Sequence, residues 1–330
     1  MGGAGPAVAG AIRIGTSGWH YPTGEGAWDG IFYPPRGRRH RPRGFDELEY
    51  YAERFDTVEV NSTFYGIPRR SVTESWARRT PDGFAFSIKL YQQFTHPKMY
   101  AASTGKSDTR VGRDDIDQFC EALVPIHESG KLGVLLAQFP PSFKNDAAAH
   151  DYLAWLIEAL SGHPVAVELR HRSWSDDVAG TLRLLNGLGA AWVQIDEPKF
   201  RLSIEQNFLP NVETFYYMRL HGRNARKWWR HDRTEERYDY HYSTAELKPF
   251  RDTADAAAHL VKRLYLYMNN HFSSKAVANA ATLKHELGLP VPGVYPQEML
   301  ARYPELEEVV RTSPEPAPLL VPADGSPERR

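Results

Sequence analysis

The sequence predicts a (β/α)₈ barrel, and three observations carry that expectation. Eight short runs have strand length and β-branched or aromatic content, helical apolar stripes lie between most of them, and 330 residues is long for one barrel domain but short for two independent catalytic domains.

In chain order the strand runs are 12–15 (IRIG), 57–61 (TVEVN), 84–90 (FAFSIKL), 132–139 (LGVLLAQF), 165–170 (VAVELR), 191–196 (AWVQID), 215–221 (FYYMRLH) and 264–269 (LYLYMN). After the first, Phe45, Leu48, Ala52 and Phe55 share one helical face. After the second, Ser71 and Glu74 have capping-box spacing ahead of Trp76. Ile116, Phe119, Leu123 and Ile126 form a stripe ending at Gly130, a C-cap signal. Tyr152, Leu156 and Leu160 form another, as do Leu182, Leu185 and Leu188. Residues 274–287, followed by Gly288, close the series. Such alternation implies a parallel sheet, and eight strands is the number that closes. One βα unit is irregular: residues 197–214 hold Pro198 and Pro210 and show no helical pattern. An open doubly wound sheet is the alternative fold. The expected organisation is a flexible stretch over 1–10, a single barrel over 11–311 and a disordered, proline-rich tail over 312–330.

Composition narrows the function classes. Net charge is −1, so a uniformly basic nucleic-acid binder is excluded and any anion site must arise from local clustering. The single cysteine, Cys120, cannot form an internal disulfide, which fits a reducing, cytoplasmic setting. Its helical spacing from Phe119 and Leu123 favours a packing role over a nucleophilic one. No stretch approaches the roughly 20 apolar residues of a membrane span, and residues 1–10 lack the charged start and apolar run of a signal peptide.

Parity along the strands points to the site. Side chains alternate between faces with period two. Val58 and Val60 oppose Glu59 and Asn61; Phe86 and Ile88 oppose Ser87 and Lys89; Val167 and Leu169 oppose Glu168 and Arg170. Val193 and Ile195 oppose Gln194 and Asp196, and Met218 and Leu220 oppose Arg219 and His221. The apolar sets are expected to face the helices, and the polar sets the barrel interior at the C-terminal strand ends. Structural layers of such barrels are filled by branched apolar residues, and an unpaired buried charge costs several kcal/mol or more. These charges must therefore meet one another, water or a ligand. An inert ring of internal ion pairs is the competing reading.

The strand-end segments carry a further series of strings in order: GTSGWHYP (15–22), TVEVNSTFYGIP (57–68), TPDGFAFSIK (80–89), TH (95–96), LLAQFPPSF (135–143), VAVELRHRSW (165–174), YMRLHGR (217–223) and YMNNH (267–271). The chain resembles the YecE-like family, domain of unknown function 72, over roughly residues 12–288. The resemblance implies a TIM barrel and no particular reaction. The motif positions it matches here are Trp19, Glu59, Asn61, Tyr65, Lys89, His96, Gln138, Glu168, Arg170, Trp174, Arg219, His221 and Asn269.

Several chemistries suit this set. Three basic loops, 34–44 (Arg36, Arg38, Arg39, Arg41, Arg43), 105–113 and 223–233, follow the first, third and seventh strands and would surround one mouth. That clustering favours an anionic, phosphate-type substrate, which arginine grips bidentately. Arg170, Arg219 and Lys89 are the expected charge readers. Glu59, Glu168, His221 and Asp196 are the acid–base candidates. Asn61, His96, Gln138 and Asn269 would hold polar groups, with Trp19, Tyr65, Trp174 and Trp228 as walls. Lys89 could alternatively form a Schiff base. Aromatics interleaved with the third basic loop (Trp228, Trp229, Tyr238, Tyr240, Tyr242) also suit a nucleic-acid or partner-binding barrel. Two carboxylates across the mouth would suit a carbohydrate hydrolase. His96, Glu168, His171, Asp196 and His221 could ligate a divalent metal, though without a local ligand motif. GTSGW has neither a dinucleotide fingerprint nor a phosphate loop, so no nucleotide cofactor is expected. The sequence leaves substrate identity and oligomeric state open.

Overall fold

The structure, a computed structural model, describes residues 10–37, 41, 43–205 and 210–312. Arg38 and Arg39 of the first basic loop, residues 206–209 of the helix-poor segment, residues 1–9, and residues 313–330 of the expected tail lie outside the described residues.

Eight strands form the sheet: β1 (Ala11–Ser17), β2 (Thr57–Val60), β3 (Ala85–Lys89), β4 (Leu132–Gln138), β5 (Val165–Glu168), β6 (two segments, Ala191–Trp192 and Gln194–Asp196), β7 (Tyr216–Leu220) and β8 (Arg263–Met268). Each pairs in parallel with its sequence neighbours, and β8 returns to β1, with Ile12 beside Leu264 and Thr16 beside Met268. Closure runs through the divided β6. Its first segment pairs with β5 and its second with β7, while the Val193 amide between them donates to the Val167 carbonyl at 3.0 Å. The result is a TIM-type (β/α)₈ barrel rather than an open sheet.

The outer layer follows the apolar stripes. It comprises α1 (Glu47–Ala52), α2 (Arg70–Arg78), α3 (Arg113–Glu128), α4 (Ala147–Ala159), α5 (Val178–Gly187), α6 (Thr244–Ala258) and α7 (Lys275–Glu286), with shorter helical turns between them. Ile116, Phe119, Leu123 and Ile126 bury the inner face of α3 against the barrel, and Gly130 just beyond it takes φ 68°. Helix α2 departs from expectation. Its N-cap is Arg69, so Ser71 lies inside the first turn, and Glu74 pairs with Arg70 at 3.3 Å instead of closing a capping box. No helix is assigned among the described residues of 197–214, which agrees with the irregular unit. Thr312, expected in the tail, instead pairs with Tyr295 in a two-residue parallel bridge.

Strand parity sorts the side chains. Val58, Val60, Phe86, Ile88, Met218 and Leu220 are buried in the layer between barrel and helices. The opposite faces fill the cylinder with polar groups, many of which satisfy each other, although Gln194 Oε1, Arg219 Nε and Asn61 Oδ1 are buried with no partner among the described residues. The Tyr267 hydroxyl bonds Thr57 Oγ1 at 2.6 Å and Ser87 Oγ at 2.9 Å, and the Tyr217 hydroxyl donates to Glu59 Oε2 at 2.7 Å. Hydroxyls facing hydroxyls and a carboxylate meet the requirement that buried polar atoms find partners.

Among the described residues, no helix is long and apolar enough to cross a membrane.

Candidate functional site

Above the Tyr217 layer the charges converge. Arg219 on β7 places one terminal nitrogen 2.6 Å from Glu59 Oε1 on β2 and the other 2.5 Å from Glu168 Oε2 on β5. The Gln138 amide oxygen at the end of β4 accepts from the same guanidinium at 3.0 Å. Ser17 on β1 donates to Glu59 at 2.7 Å. Glu168 in turn receives Arg170 at 2.6 Å, and Arg170 lies 3.2 Å from Glu197. Five staves therefore contribute to one hydrogen-bonded ionic cluster. Charge-assisted bonds of this length are the strong class, and two arginines among the carboxylates compensate burial that neither sign would survive alone.

His221 is fully buried at the edge of this cluster. Its Nε2 lies 3.2 Å from Arg170 and 3.5 Å from Glu168, and its Nδ1 lies 2.7 Å from the Asn269 amide. Burial and the neighbouring guanidinium of Arg219 lower its pKa to about 3, so the ring is neutral. Glu168 is held well below the ordinary carboxylate range: burial opposes this, and Arg219 and Arg170 outweigh it. At neutral pH Glu168 is thus held as a carboxylate and His221 as a neutral ring over the Glu59–Arg219–Glu168 floor.

Two adjoining cavities open over that floor, of about 170 Å³ and about 380 Å³, sharing Tyr65, Lys89, Gln138 and Tyr238 in their walls. The inner one also meets Asn61, Arg219 and Asn269; the outer one meets His96, Arg170, Glu197 and Trp228. These lie at the C-terminal strand ends, where barrel enzymes carry their sites. A separate cleft at the opposite end is lined by Arg13, Asp56 and Lys284, whose charges pair at 3.2 Å and 3.7 Å.

Lys89 stands apart from the other charges. Its ammonium stacks over the Phe64 ring at 4.2 Å, and no hydrogen bond or ion pair reaches it among the described residues. Burial, reinforced by Arg219, lowers its pKa to about 7. Lys89 is half-buried on the cavity wall, whereas the buried lysines elsewhere are satisfied: Lys131 donates to the Ala77 and Thr80 carbonyls at 2.7 Å, and Lys284 meets Asp56. Glu197 shows the complementary shift, its carboxyl raised by burial despite Arg170. Asn61, just past the end of β2, keeps a buried Oδ1 with no partner on the inner cavity wall.

Some expected residues go elsewhere. Asp196 leaves the cluster: Arg223 grips it at 2.8 Å and 3.0 Å and the Tyr242 hydroxyl donates to it at 2.6 Å, because a cation just past β7 and a hydroxyl just before α6 satisfy it there. Trp174 is fully buried, donates its indole N–H to the Phe143 carbonyl at 3.0 Å and stacks on the Phe143 ring; it packs rather than lining either cavity. Trp19 likewise packs edge-on against Trp76 at 5.5 Å. Loop arginines are also engaged: Arg36 and Arg41 with Asp29, and Arg110 with Asp108. Among the described residues no three His, Cys, Asp or Glu side chains converge as a metal ligand set. His171 bonds Ser173 at 2.9 Å, and His96 bonds Thr95 at 2.8 Å.

Residues that strand parity did not select complete the walls: Glu197, Tyr21, Tyr238, His271 and Arg237. All lie beyond strand ends, where period two no longer applies. Tyr21 stacks on His271 at 4.2 Å and donates its hydroxyl to the Ser17 carbonyl. That turn needs Gly18, which has φ 93°; a Cβ there would stand 2.7 Å from the Tyr21 hydroxyl.

The family model described as protein of unknown function DUF72 matches residues 13–303. The chain belongs to the DUF72 family. Among its relatives, UPF0759 protein YunF of Bacillus subtilis is 29% identical over 299 residues, 87% of this chain and 99% of YunF. UPF0759 protein YecE of Escherichia coli K12 is 28% identical over 100 residues, 30% of this chain and 33% of YecE. The crystal structure of a DUF72 protein of Thermotoga maritima superposes with a TM-score of 0.70 at 32% identity, covering 84% of this chain and 99% of that one. A DUF72 protein of Enterococcus faecalis has the same fold, with a TM-score of 0.71 at 24% identity over 84% of this chain and 96% of that one. The DUF72 relationship thus accounts for the barrel and leaves its chemistry to the side chains.

Proposed function

We propose that this DUF72 barrel is an enzyme that binds a small anionic substrate in the cavity over the Glu59–Arg219–Glu168–Arg170 floor. Lys89 carries the reading: it is a cation facing the cavity without a carboxylate, while Glu59 and Glu168 are already neutralised by arginines. An anion entering the cavity pairs with Lys89 and can reach Arg237, which has no carboxylate partner among the described residues either, and Arg170 and the Asn61 and Gln138 amides add directional contacts. Desolvated electrostatic contacts of this kind are worth far more than in bulk water. Glu197, with its carboxyl shifted upward, and Lys89, near pH 7, are the proton-exchanging groups in this reading; the floor beneath holds them in place.

The test is oxalate and inorganic phosphate binding, read by calorimetry and by the rise in melting temperature. The expected result is saturable stabilisation that Lys89→Met and Arg170→Met each weaken at least about tenfold, the loss of a charge-assisted contact. Equal stabilisation of both variants and the parent protein would refute it.

The competing readings fit less well. A glycosidase acid needs a raised carboxyl pKa, whereas Glu168 is held low and shares Arg219 with Glu59. A nucleic-acid surface would rest on loop cations: Arg36, Arg41 and Arg110 pair with aspartates and Lys227 with Glu236, which leaves the exposed Arg226 and Arg230 of the aromatic loop as its candidates.

A further inference from the structure

Three features of Lys89 are those of a nucleophilic amine. It projects from the end of β3 onto a cavity wall, it has no anionic partner, and it sits above a guanidinium and beside an aromatic face. A lysine meant only to bind anions is better served by a carboxylate neighbour that keeps it charged. An amine that burial beside the Phe64 ring deprives of water, with Arg219 and Arg170 opposed by Glu168 and Glu59, is instead pushed toward its neutral, nucleophilic form, the activation mode that desolvation and adjacent cations give Schiff-base lysines.

We propose that Lys89 forms a covalent imine with a small aldehyde or ketone whose carbonyl lies close to a carboxylate or phosphate group. This deepens the anionic-substrate reading and rests on it. The Nζ lone pair forms a bond to the carbonyl carbon, and the C=O π pair moves to oxygen, which takes up a proton. The ammonium centre so formed gives up a proton, leaving a neutral carbinolamine. Nitrogen then expels the oxygen, which leaves as water after taking a second proton, and the C=N bond forms as an iminium. Net, one neutral amine, one carbonyl compound and one proton give one iminium and one water. No oxidant or reductant is consumed. Glu197 is the acid on the same cavity wall that supplies the net proton, and Arg170, 3.2 Å away, holds the carboxylate that results. The cavity walls contribute the rest: Arg170 and the Asn61 and Gln138 amides face the anionic group, and Tyr65 and Tyr238 bound the space above. An iminium acts as an electron sink, so the reaction class is bond making or breaking at the carbon next to the captured carbonyl.

The experiment treats the full-length protein at pH 7 with cyanoborohydride and either glyoxylate, glyceraldehyde 3-phosphate or uncharged propionaldehyde, followed by peptide mapping. The expected result is reductive labelling of Lys89 at least about tenfold faster than of exposed lysines such as Lys248, with an anionic aldehyde favoured over propionaldehyde. Glyoxylate preference over the phosphate compound, or the reverse, identifies which anion the cavity takes. Lys89→Arg should lose the label, because the guanidinium that replaces the amine is not a nucleophile. Lys89 labelled no faster than Lys248 by any of the three overturns the proposal. If oxalate still stabilises the protein in that case, anion binding stands and the imine alone falls; if oxalate has no effect either, both fall.

Discussion

Arg219 and Glu168 meet at 2.5 Å with neither side chain more than 1% exposed. A buried pair of this kind contributes little relative to an apolar pair of the same volume, but breaking it leaves a bare charge and costs about 3–5 kcal/mol. Arg219→Met should therefore lower stability by about that amount, since it leaves Glu59 without a cation and Glu168 with Arg170 alone. The combination of Glu59→Gln, Glu168→Gln and Arg219→Met should recover most of the loss. Urea unfolding of the single and triple variants measures the coupling, and additive effects would show that the three residues do not act as one unit.

Lys89→Met should stabilise the protein, most strongly in mildly acidic solution. The Lys89 pKa falls from its ordinary value to about 7 on folding. Its cost to stability is thus complete below pH 7 and disappears as pH rises toward the unfolded value of about 10.4. The variant should gain about 1–3 kcal/mol at pH 6 and progressively less toward pH 10, the usual exchange of stability against function at an active site. A pH series of denaturation curves on both proteins reads this directly.

Oxalate affinity should be level below pH 7 and fall above it, approaching tenfold per pH unit, because the anion binds the protonated amine and Lys89 loses its proton near 7. Calorimetry in buffers of different ionisation enthalpy should show net proton uptake on binding at pH 8. A flat profile through pH 9 would remove Lys89 from the anion site.

Acid should unfold the protein through its neutral histidines. His221 and His271 are buried, and burial lowers both to about 3. As pH falls from about 6.5 toward 3, the unfolded chain takes up protons that the folded protein refuses, and stability drops by about 1.4 kcal/mol per pH unit for each. Replacing His271 with glutamine should lessen the slope of stability against pH in that window by about that amount.

Asp196→Asn should weaken the lock that Arg223 and Tyr242 form at the end of β6 without altering oxalate binding. The expected loss is about 1–3 kcal/mol, that of a charge-assisted bond pair. An equal loss of binding would place Asp196 in the cavity machinery.

How much of this was legible in the sequence follows from where each residue sits. Glu59, Glu168 and Arg219 lie within regular strands, so period-two alternation located them, and their charge required partners. Lys89 ends β3 and was found the same way, but its isolation was not visible, because a missing partner is a property of the neighbouring strands. Glu197, Tyr238 and His271 follow strand ends, where the chain turns and parity carries no information. Trp19 and Trp174 belong to family motifs, yet motif membership says nothing about whether an indole faces a cavity or a helix. Asp196 has the expected parity but was captured by Arg223, a contact set by two loops. That no helix is assigned among the described residues after β6 was legible from prolines and lost periodicity alone.

That sixth unit changes what the barrel can become. Where other units spend their connection on shielding a stave from solvent, this one sends Glu197, Phe200, Leu202 and Ser203 into the outer cavity wall. Phe200, Leu202 and Ser203 carry no part of the ionic cluster, and no helix is assigned among the described residues of this segment, so substitutions there leave the cylinder's closure undisturbed. Variation at these three positions would reshape the outer cavity while the ionic cluster on the staves stays as it is.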